Sequence, residues 1–445
     1  MISLKNASRI LLSKAGARVY SAVCAALTGR SSYSETPKAP EDFSPLLRFM
    51  VCSDIHINGE SGQKEPLRFI EAVEAACAYA EKEKYQSLDA VCVCGDFTDE
   101  GSPFQYEIFN SCAGKALKEN TRLLICSGNH EYIYCRENKD NSGERACDIY
   151  KKMLGREEDE HQIINGYHFI SASYDPDREE SFRKKKKWLD AEIGKAVSDT
   201  AGKPVFVFQH PHPFGTVFGS VNWGDISVSQ VLKKYPQVVD FSGHSHYPIN
   251  DPRSIWQGSF TALGTGTLSY FETELDYISG VYPYDKENAA QFYIVEADKD
   301  GNVRILPYDL ITHSFFDNEY YLTGLSEKKY DYTYNKMKKR DCAPVFNDNA
   351  EISAELDESG ETVLEFDGAK ANFVIDSYKI TVRASGNPKS QSYNIPGKYM
   401  FLYMENKYEV SLGKLESGKH YKAEIIAMNA FSQASKPLVL NFTAQ

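Results

Sequence analysis

The chain has 445 residues, of which 42% are apolar, 25% charged and 13% aromatic; this is the make-up of a globular protein with room for more than one domain, and it excludes a disordered, collagenous or membrane-spanning chain. A formal charge of −12 argues against a surface built to neutralise the phosphates of long nucleic acids, but leaves a small phosphorylated substrate open. Ten cysteines are too few for a disulfide scaffold, and Cys52, Cys92, Cys94 and Cys126 sit inside apolar runs where a reduced thiol packs well.

In chain order, the first 34 residues carry Lys5, Arg9, Lys14, Arg18 and Arg30 but no acid. Segment 1–45 is therefore read as a basic leader, or as a helix that packs on the body or lies on a membrane surface; Lys14 and Arg18 interrupt the apolar core that a signal peptide needs. No stretch has the length of a spanning helix. From residue 46, short apolar runs alternate with helical patterns, the signature of βαβ units in a layered α/β core. Strands are expected at 47–53, 88–94, 122–127, 204–209 and 237–241. One helix is expected on the spacing of Leu67, Ile70, Val73, Cys77 and Ala80, and a second over 103–119. The basic run 183–187 precedes Trp188, Leu189 and Ile193 at helical spacing, which makes it the solvated face of an amphipathic helix and not a nucleic-acid patch.

Segment 313–342 is polar, rich in Tyr and Lys and without a clear period, so it reads as a connector between a domain at 46–312 and a further one at 343–445. In the latter, alternating strands at 362–366, 378–382, 408–412, 421–428 and 438–442, separated by turn residues, predict an all-β sandwich. The stretch Leu415-Glu416-Ser417-Gly418-Lys419-His420-Tyr421, followed by Ala427 and Asn429, resembles the E–F region of a fibronectin type III module. A protein or glycan partner is the expectation for such an appendage.

The chemistry is concentrated at the ends of the five apolar runs. They lead into Asp54-Ile55-His56, Gly95-Asp96-Phe97-Thr98-Asp99, Gly128-Asn129-His130-Glu131, His210, and Gly243-His244-Ser245-His246. Open α/β sheets bind ligands beyond the carboxyl ends of their strands, and strand alternation would aim Asp54 and His56 to one side. The glycines permit tight turns and close backbone approach. Mixed carboxylate, amide and imidazole donors without thiolate suit Mn, Fe or Zn in a reactive site better than a structural zinc.

In this order the motifs resemble the calcineurin-like metallophosphoesterase superfamily over roughly 46–312. The resemblance implies an α/β fold, a four-layer α/β/β/α sandwich, with two divalent or mixed-valence metal ions. Carried over by position, one ion takes Asp54, His56, Asp96 and His246, and the other takes Asp96, Asn129, His210 and His244. It implies hydrolysis of small phosphomonoesters or phosphodiesters by a metal-bridging hydroxide, with His130 assisting the leaving group and Asp99 orienting His130. Glu100-Gly101 stands where the protein-phosphatase branch has Arg-Gly, and Asp99 stands where purple acid phosphatases have their iron-binding tyrosine. The protein-phosphatase branch is therefore not expected, nor is a purple iron–tyrosinate centre, while the layout is more similar to the cyclic-nucleotide phosphodiesterase and purple-acid-phosphatase-like branches. His212 and Tyr247 are candidate substrate contacts, with Trp223, Arg253 and Tyr270 behind them; His212 also fits a supporting role. An adhesion or scaffold protein with a weak metal site, and a nuclease on the same fold, are the competing readings. Location is divided between cytoplasm, which the buried thiols favour, and export, which the appended module favours.

Overall fold

The computed structural model describes residues 36–59, 62–137, 143–174, 181–276 and 278–445, so the basic leader expected within 1–45 lies outside the described residues up to residue 35. Two compact units divide the described chain, Thr36–Tyr334 and Asn335–Gln445.

The larger unit is built on two sheets. In the first, β1 (Pro45–Cys52), β2 (Ala90–Cys94) and β3 (Arg122–Cys126) run parallel, and β1 pairs on its other side with the antiparallel strand Gln291–Asp298. Val303–Asp309 extends this sheet, and the short strands Ser314–Phe315 and Tyr320–Leu322, within the segment read as a connector, both pair with it. In the second sheet, β4 (Glu160–Ile164), β5 (Tyr167–Ser171) and β6 (Val205–Gln209) are followed in space by Val238–Ser242, Thr261–Gly264 and Ile255–Gln257. β1 and β6 are buried along nearly their whole length, as strands covered on both faces must be.

On its inner face β1 presents Phe49, whose ring meets four rings of the other sheet edge to face: Phe206 at 4.8 Å, Phe169 at 5.0 Å, and Phe208 and Phe241 at 6.1 Å. Each such aromatic pair adds to the area it buries, and together they clamp the two sheets. On the outer face Met50 and Cys52 pack with Phe69 of the helix Lys64–Lys82 and Phe109 of the helix Pro103–Ala116. The helix Ser181–Asp199 covers the second sheet through Leu189 and Ile193. The result is the expected α/β/β/α layering.

Some local expectations shift. The helix Lys64–Lys82 turns Phe69, Val73, Ala76 and Ala80 inward and leaves Leu67 43% exposed, because the bulkier Phe69 sets the buried face. The second helix begins at a Ser102 cap and stops at Ala116, before the expected 119, where Leu117 turns extended. In the basic run, Lys185 donates to the Ser173 and Tyr174 carbonyls and Lys186 to Gln230, so these two ammonium groups fasten the helix to its neighbours and are not simply solvated. Among the described residues no helix is long and apolar enough to cross a membrane.

The smaller unit is a β-sandwich of a three-stranded sheet, in the order Ile352–Leu356, Thr362–Asp367, Lys407–Ser411, and a four-stranded one, in the order Ser390–Pro396, Ile375–Ala384, His420–Asn429, Leu438–Thr443. Its core holds Leu364, Phe366, Tyr378, Ile380, Tyr408, Ile425 and Ala427, with Tyr378 and Tyr408 packed at 4.4 Å. Five of the seven strands fall on the expected runs. The other two, Ile352–Leu356 and Ser390–Pro396, lie at sheet edges and hold no fully buried residue; their alternating Ile352, Ala354, Tyr393 and Ile395 pack only partly on the core, so the pattern is short and weak in sequence.

Replacing Phe49 by Ala should destabilise the larger unit by about 3–5 kcal/mol, the range for deleting a buried Phe ring, read as a lower urea midpoint. A loss below about 1 kcal/mol would mean that the inter-sheet aromatic cluster is not what clamps the layers.

Candidate metal centre

The carboxyl ends of β1, β2 and β3 in one sheet, and of β6 and Val238–Ser242 in the other, open onto the same edge of the sandwich. Their loops are laid side by side by backbone hydrogen bonds, Asp54 N to Gly95 O at 3.1 Å, His56 N to Asp96 O at 3.0 Å and Gly243 N to His210 O at 2.9 Å. β1 ends at Cys52, so strand alternation does not aim Asp54 and His56. Both have left-handed backbone, with φ of 51° and 53°, and Asp96, His244 and His246 share it at 48°, 76° and 56°. Non-glycine residues in this region are uncommon and cluster at functional sites. Two motif glycines are required by contact: a Cβ at Gly128 would lie 2.1 Å from Asp96 Oδ1, and one at Gly95 would lie 2.5 Å from His210 Nδ1.

These turns assemble three groups of donors whose ligand atoms lie within 4.8 Å of one another: Asp54, His56 and His246; Asp96, His210 and His244; and His56, Asp99 and His130. His246 Nε2 is 3.1 Å from Asp54 Oδ1, and His210 Nε2 is 3.0 Å from Asp96 Oδ2. Asn129 Oδ1 is 3.0 Å from His210 Nε2, which joins the amide to the second group. Asp96 Oδ2 is also 4.0 Å from His56 Nε2 and 3.9 Å from His130 Nε2, so its carboxylate stands between the first two groups.

The outer ring nitrogens decide what the inner ones can do. His210 Nδ1 donates to the Cys94 carbonyl at 2.9 Å and His246 Nδ1 to the Tyr270 carbonyl at 3.0 Å, while His56 Nδ1 lies 3.3 Å from Asp99 Oδ1. Such partners fix the tautomer and leave Nε2 as a lone pair pointing inward. His56 Nε2 and His246 Nε2 then face each other at 3.1 Å. Two lone pairs at that distance, next to two buried carboxylates, call for positive charge, either a proton on one ring, as on His246 beside Asp54, or a bound cation; the donor set fits a metal ion.

Residues 47–248 match the profile of a family described as calcineurin-like phosphoesterase. Over that segment, a little under half of the chain, the protein is similar to this family. A purple acid phosphatase from yellow lupin seeds is a structural neighbour of the chain at 12% identity and a TM-score of 0.44, over 68% of this chain and 56% of the lupin one. A fibronectin type III domain of human collagen XX aligns at 17% identity and a TM-score of 0.17, over 23% of this chain and 88% of that one. No curated protein sequence matches.

The phosphoesterase domain supports its metal-dependent site with a further layer of contacts. Glu131 carries most of it, accepting from Asp96 N, Thr98 N, Thr98 Oγ1 and Gly128 N at 2.6–3.1 Å; the sequence flags it only as the last letter of Gly-Asn-His-Glu. Thr267 and Ser269 hydroxyls both donate to the Asp54 carbonyl at 3.0 Å, and nothing in the sequence singles them out. His130 Nδ1 donates to the backbone carbonyl of Asp99 at 2.7 Å, whereas the Asp99 carboxylate is 3.7 Å away and closer to His56. The orienting contact expected from the Asp99 side chain is thus made by its main chain. Nor is Asp99 the cap of the following helix, a role that Ser102 fills.

His212 and Tyr247, expected as substrate contacts, are enclosed behind the cleft. His212 uses Nδ1 on Ser242 at 2.9 Å and Nε2 on Ser245 at 2.8 Å, and Tyr247 is 3% exposed. Arg253 is engaged with Asp251 at 2.7–2.8 Å. Trp223 and Tyr270 do border the cleft: Trp223 meets His244 edge-on at 5.2 Å, and Tyr270 lies 4.3 Å from His246.

Without metal, burial opposes charge throughout the site, and the carboxylate–imidazole pairs override it. Burial would raise Asp54, yet His246 brings it down to about 2; burial would lower His210, yet Asp96 lifts it to about 9. Burial, with His210 adding to it, takes His244 down to about 4. A proton on His210 therefore stands in for the cation. Raised above its ordinary value of 6.5, this group stabilises the metal-free fold fully below about pH 6.5, and that contribution is lost as pH rises through about 9.

A metal held by His210 would have to displace that proton. Affinity for manganese or zinc should accordingly climb with pH between about 6.5 and 9 and level off above, with proton release visible by calorimetry in buffers of different ionisation heat; affinity flat across that window would contradict the assignment. Glu131→Ala should weaken metal binding by roughly 10–100-fold, as the loss of an outer-shell partner does, measured by competition with a chelator.

Proposed function

We propose that the protein hydrolyses small phosphomonoesters or phosphodiesters at a centre of two metal ions, one held by Asp54, His56, Asp96 and His246 and the other by Asp96, Asn129, His210 and His244. The observation that carries this reading is the position of the Asp96 carboxylate between two groups of inward-facing imidazoles, each with its outer nitrogen, where bonded, turned away. Oxygen and imidazole donors suit Mn, Fe or Zn. When bound, two such ions acidify water and neutralise the charge that develops on phosphoryl oxygens.

The chain's own residues supply the rest. The burial of Asp54, Asp96, His210 and His246 keeps the donors dry and strengthens their attraction for cations and for the charge of a phosphoryl group. His130 is half-buried, with its Nδ1–H committed to the Asp99 carbonyl. Its Nε2 is left to face the cleft, where it donates a proton to the departing alkoxide. Asp99 holds His56 in the ligand tautomer. Segment 343–445 is proposed as an independent domain that docks a protein or glycan, leaving 46–312 as the catalytic domain.

The test is the full chain, stripped by chelator and reloaded with Mn, Fe or Zn, assayed on p-nitrophenyl phosphate, its bis-ester, cyclic nucleotides and plasmid DNA. Turnover of the small esters is the expected outcome; cleavage of plasmid alone would favour a nuclease, and no turnover with any metal would favour a scaffold. His130→Ala should keep both metals yet slow alkyl phosphates by roughly 10²–10⁴-fold, the span of general acid catalysis, with a smaller loss on p-nitrophenyl phosphate. Equal losses on both substrates would remove His130 from the proton-donor role.

A further inference from the structure

One edge of the metal cleft is a wall of aromatic rings that the hydrolytic chemistry does not use. The antiparallel hairpin Thr273–Leu275 and Ile278–Val281 rises beside His246, pinned at its base by Phe271 N to Lys286 O at 3.0 Å and Glu272 N to His246 O at 3.3 Å. Tyr270, just before it, lies against His246; Tyr282, just after it, lies 6.1 Å from Tyr270 and is 55% exposed. The two ring planes are inclined at 64°, and the Lys286 ammonium, over Tyr282 at 3.9 Å and near Tyr270 at 5.1 Å, holds them as two walls of one corner.

Trp223 continues this wall on the His244 side. Asn222, its neighbour, donates to Glu274 of the hairpin at 3.3 Å, and a Cβ at Gly280 would be 3.8 Å from Trp223 Cζ2 and 3.5 Å from Glu272 Oε2. Trp223, Glu272 and the hairpin are therefore contiguous, and rings flank both donor groups. The Glu272 carboxylate is half-buried and accepts no hydrogen bond among the described residues, with His246 and Lys286 the cations that act on its charge. An acceptor left open in this way at the rim of the cleft can take a donor from a ligand in place of water.

Resting on the phosphoesterase reading above, we propose that this hairpin and Trp223 select phosphoesters whose alcohol part carries a planar aromatic ring with hydrogen-bond donors. The phosphoryl group lies at the metal donors, the ring stacks on a face of the exposed Tyr282 with an edge toward Tyr270, and Glu272 accepts an N–H or O–H from it. Flat rings stack on flat rings at little entropic cost. A short alkyl ester is too small to reach Tyr282 and gains nothing from it. Nitrogen heterocycles and hydroxylated arenes share this chemistry, and the test separates them.

The full-length, manganese-loaded protein is titrated calorimetrically with methylphosphonate, phenylphosphonate and the phosphonate analogue of a nucleoside monophosphate. Phenylphosphonate should bind about ten-fold tighter than methylphosphonate. In Tyr282→Ala that ratio should shrink at least five-fold or so, and Tyr282→Phe should restore it, since stacking needs the ring and not the hydroxyl. Tighter binding of the nucleoside analogue than of phenylphosphonate assigns a heterocycle; the reverse assigns a simple arene. A phenyl-to-methyl ratio near one in the unmodified protein, or one unchanged in Tyr282→Ala, overturns the proposal. If none of the three ligands nor inorganic phosphate binds with manganese or zinc, the metal-centre reading itself fails and takes this inference with it.

Discussion

Lone pairs and negative charge converge at the edge of the sandwich in a space from which water is largely excluded. Asp54, Asp96, His210 and His246 are buried, and His56 and His246 point their inner nitrogens at each other. Burying such groups is costly unless positive charge joins them. The arrangement is favourable only with cations present, protons in the stripped protein and metal ions in the loaded one. Everything else about the site follows from having to hold these mutually repulsive groups in place.

The means of holding them is the closure of two sheets. Each of the two main donor groups draws on both: Asp54 and His56 follow a strand of the first sheet and His246 a strand of the second, while Asp96 follows the first and His210 and His244 the second. Neither sheet carries a complete group. The aromatic packing around Phe49 is therefore a condition of metal binding as well as of stability, since it sets the distance between the two halves of each group. Left-handed turns at five of the donor residues then complete the aim, at a local backbone cost of order 1–3 kcal/mol each that the hydrogen bonds of Glu131, Thr267 and Ser269 help to offset.

Residues outside the donor set divide between support and access. His212 and Glu131 sit behind the donors and bond to the loops that carry them. His130, Trp223, Tyr270 and Glu272 stay partly open and form the border of the cleft. The half-exposed histidine takes its orientation from a backbone carbonyl, a contact that survives substitution of the Asp99 side chain.

Much of this was legible from residue order. Apolar runs ending in Asp-x-His, Gly-Asp-x-x-Asp, Gly-Asn-His-Glu and Gly-His-x-His name the strands and the donors together, because a buried strand must be apolar and a ligand must follow where it ends. Five strands of the terminal sandwich were legible for the same reason, whereas Ile352–Leu356 and Ser390–Pro396 alternate only around partly buried residues. Arg48 was hidden inside an apolar run; only its register opposite Glu296 explains a fully buried guanidinium, bonded at 2.7 Å. Leu67 and Phe69 compete for the same helix face, and ring volume against the sheet settles which is buried. The sequence by itself determined the donor chemistry and the order of the layers, since both depend on side-chain type and short-range period. Which histidines are enclosed and the aromatic wall beside the cleft were decided only by tertiary structure, because each depends on distances between segments tens to hundreds of residues apart, and local pattern does not encode those distances.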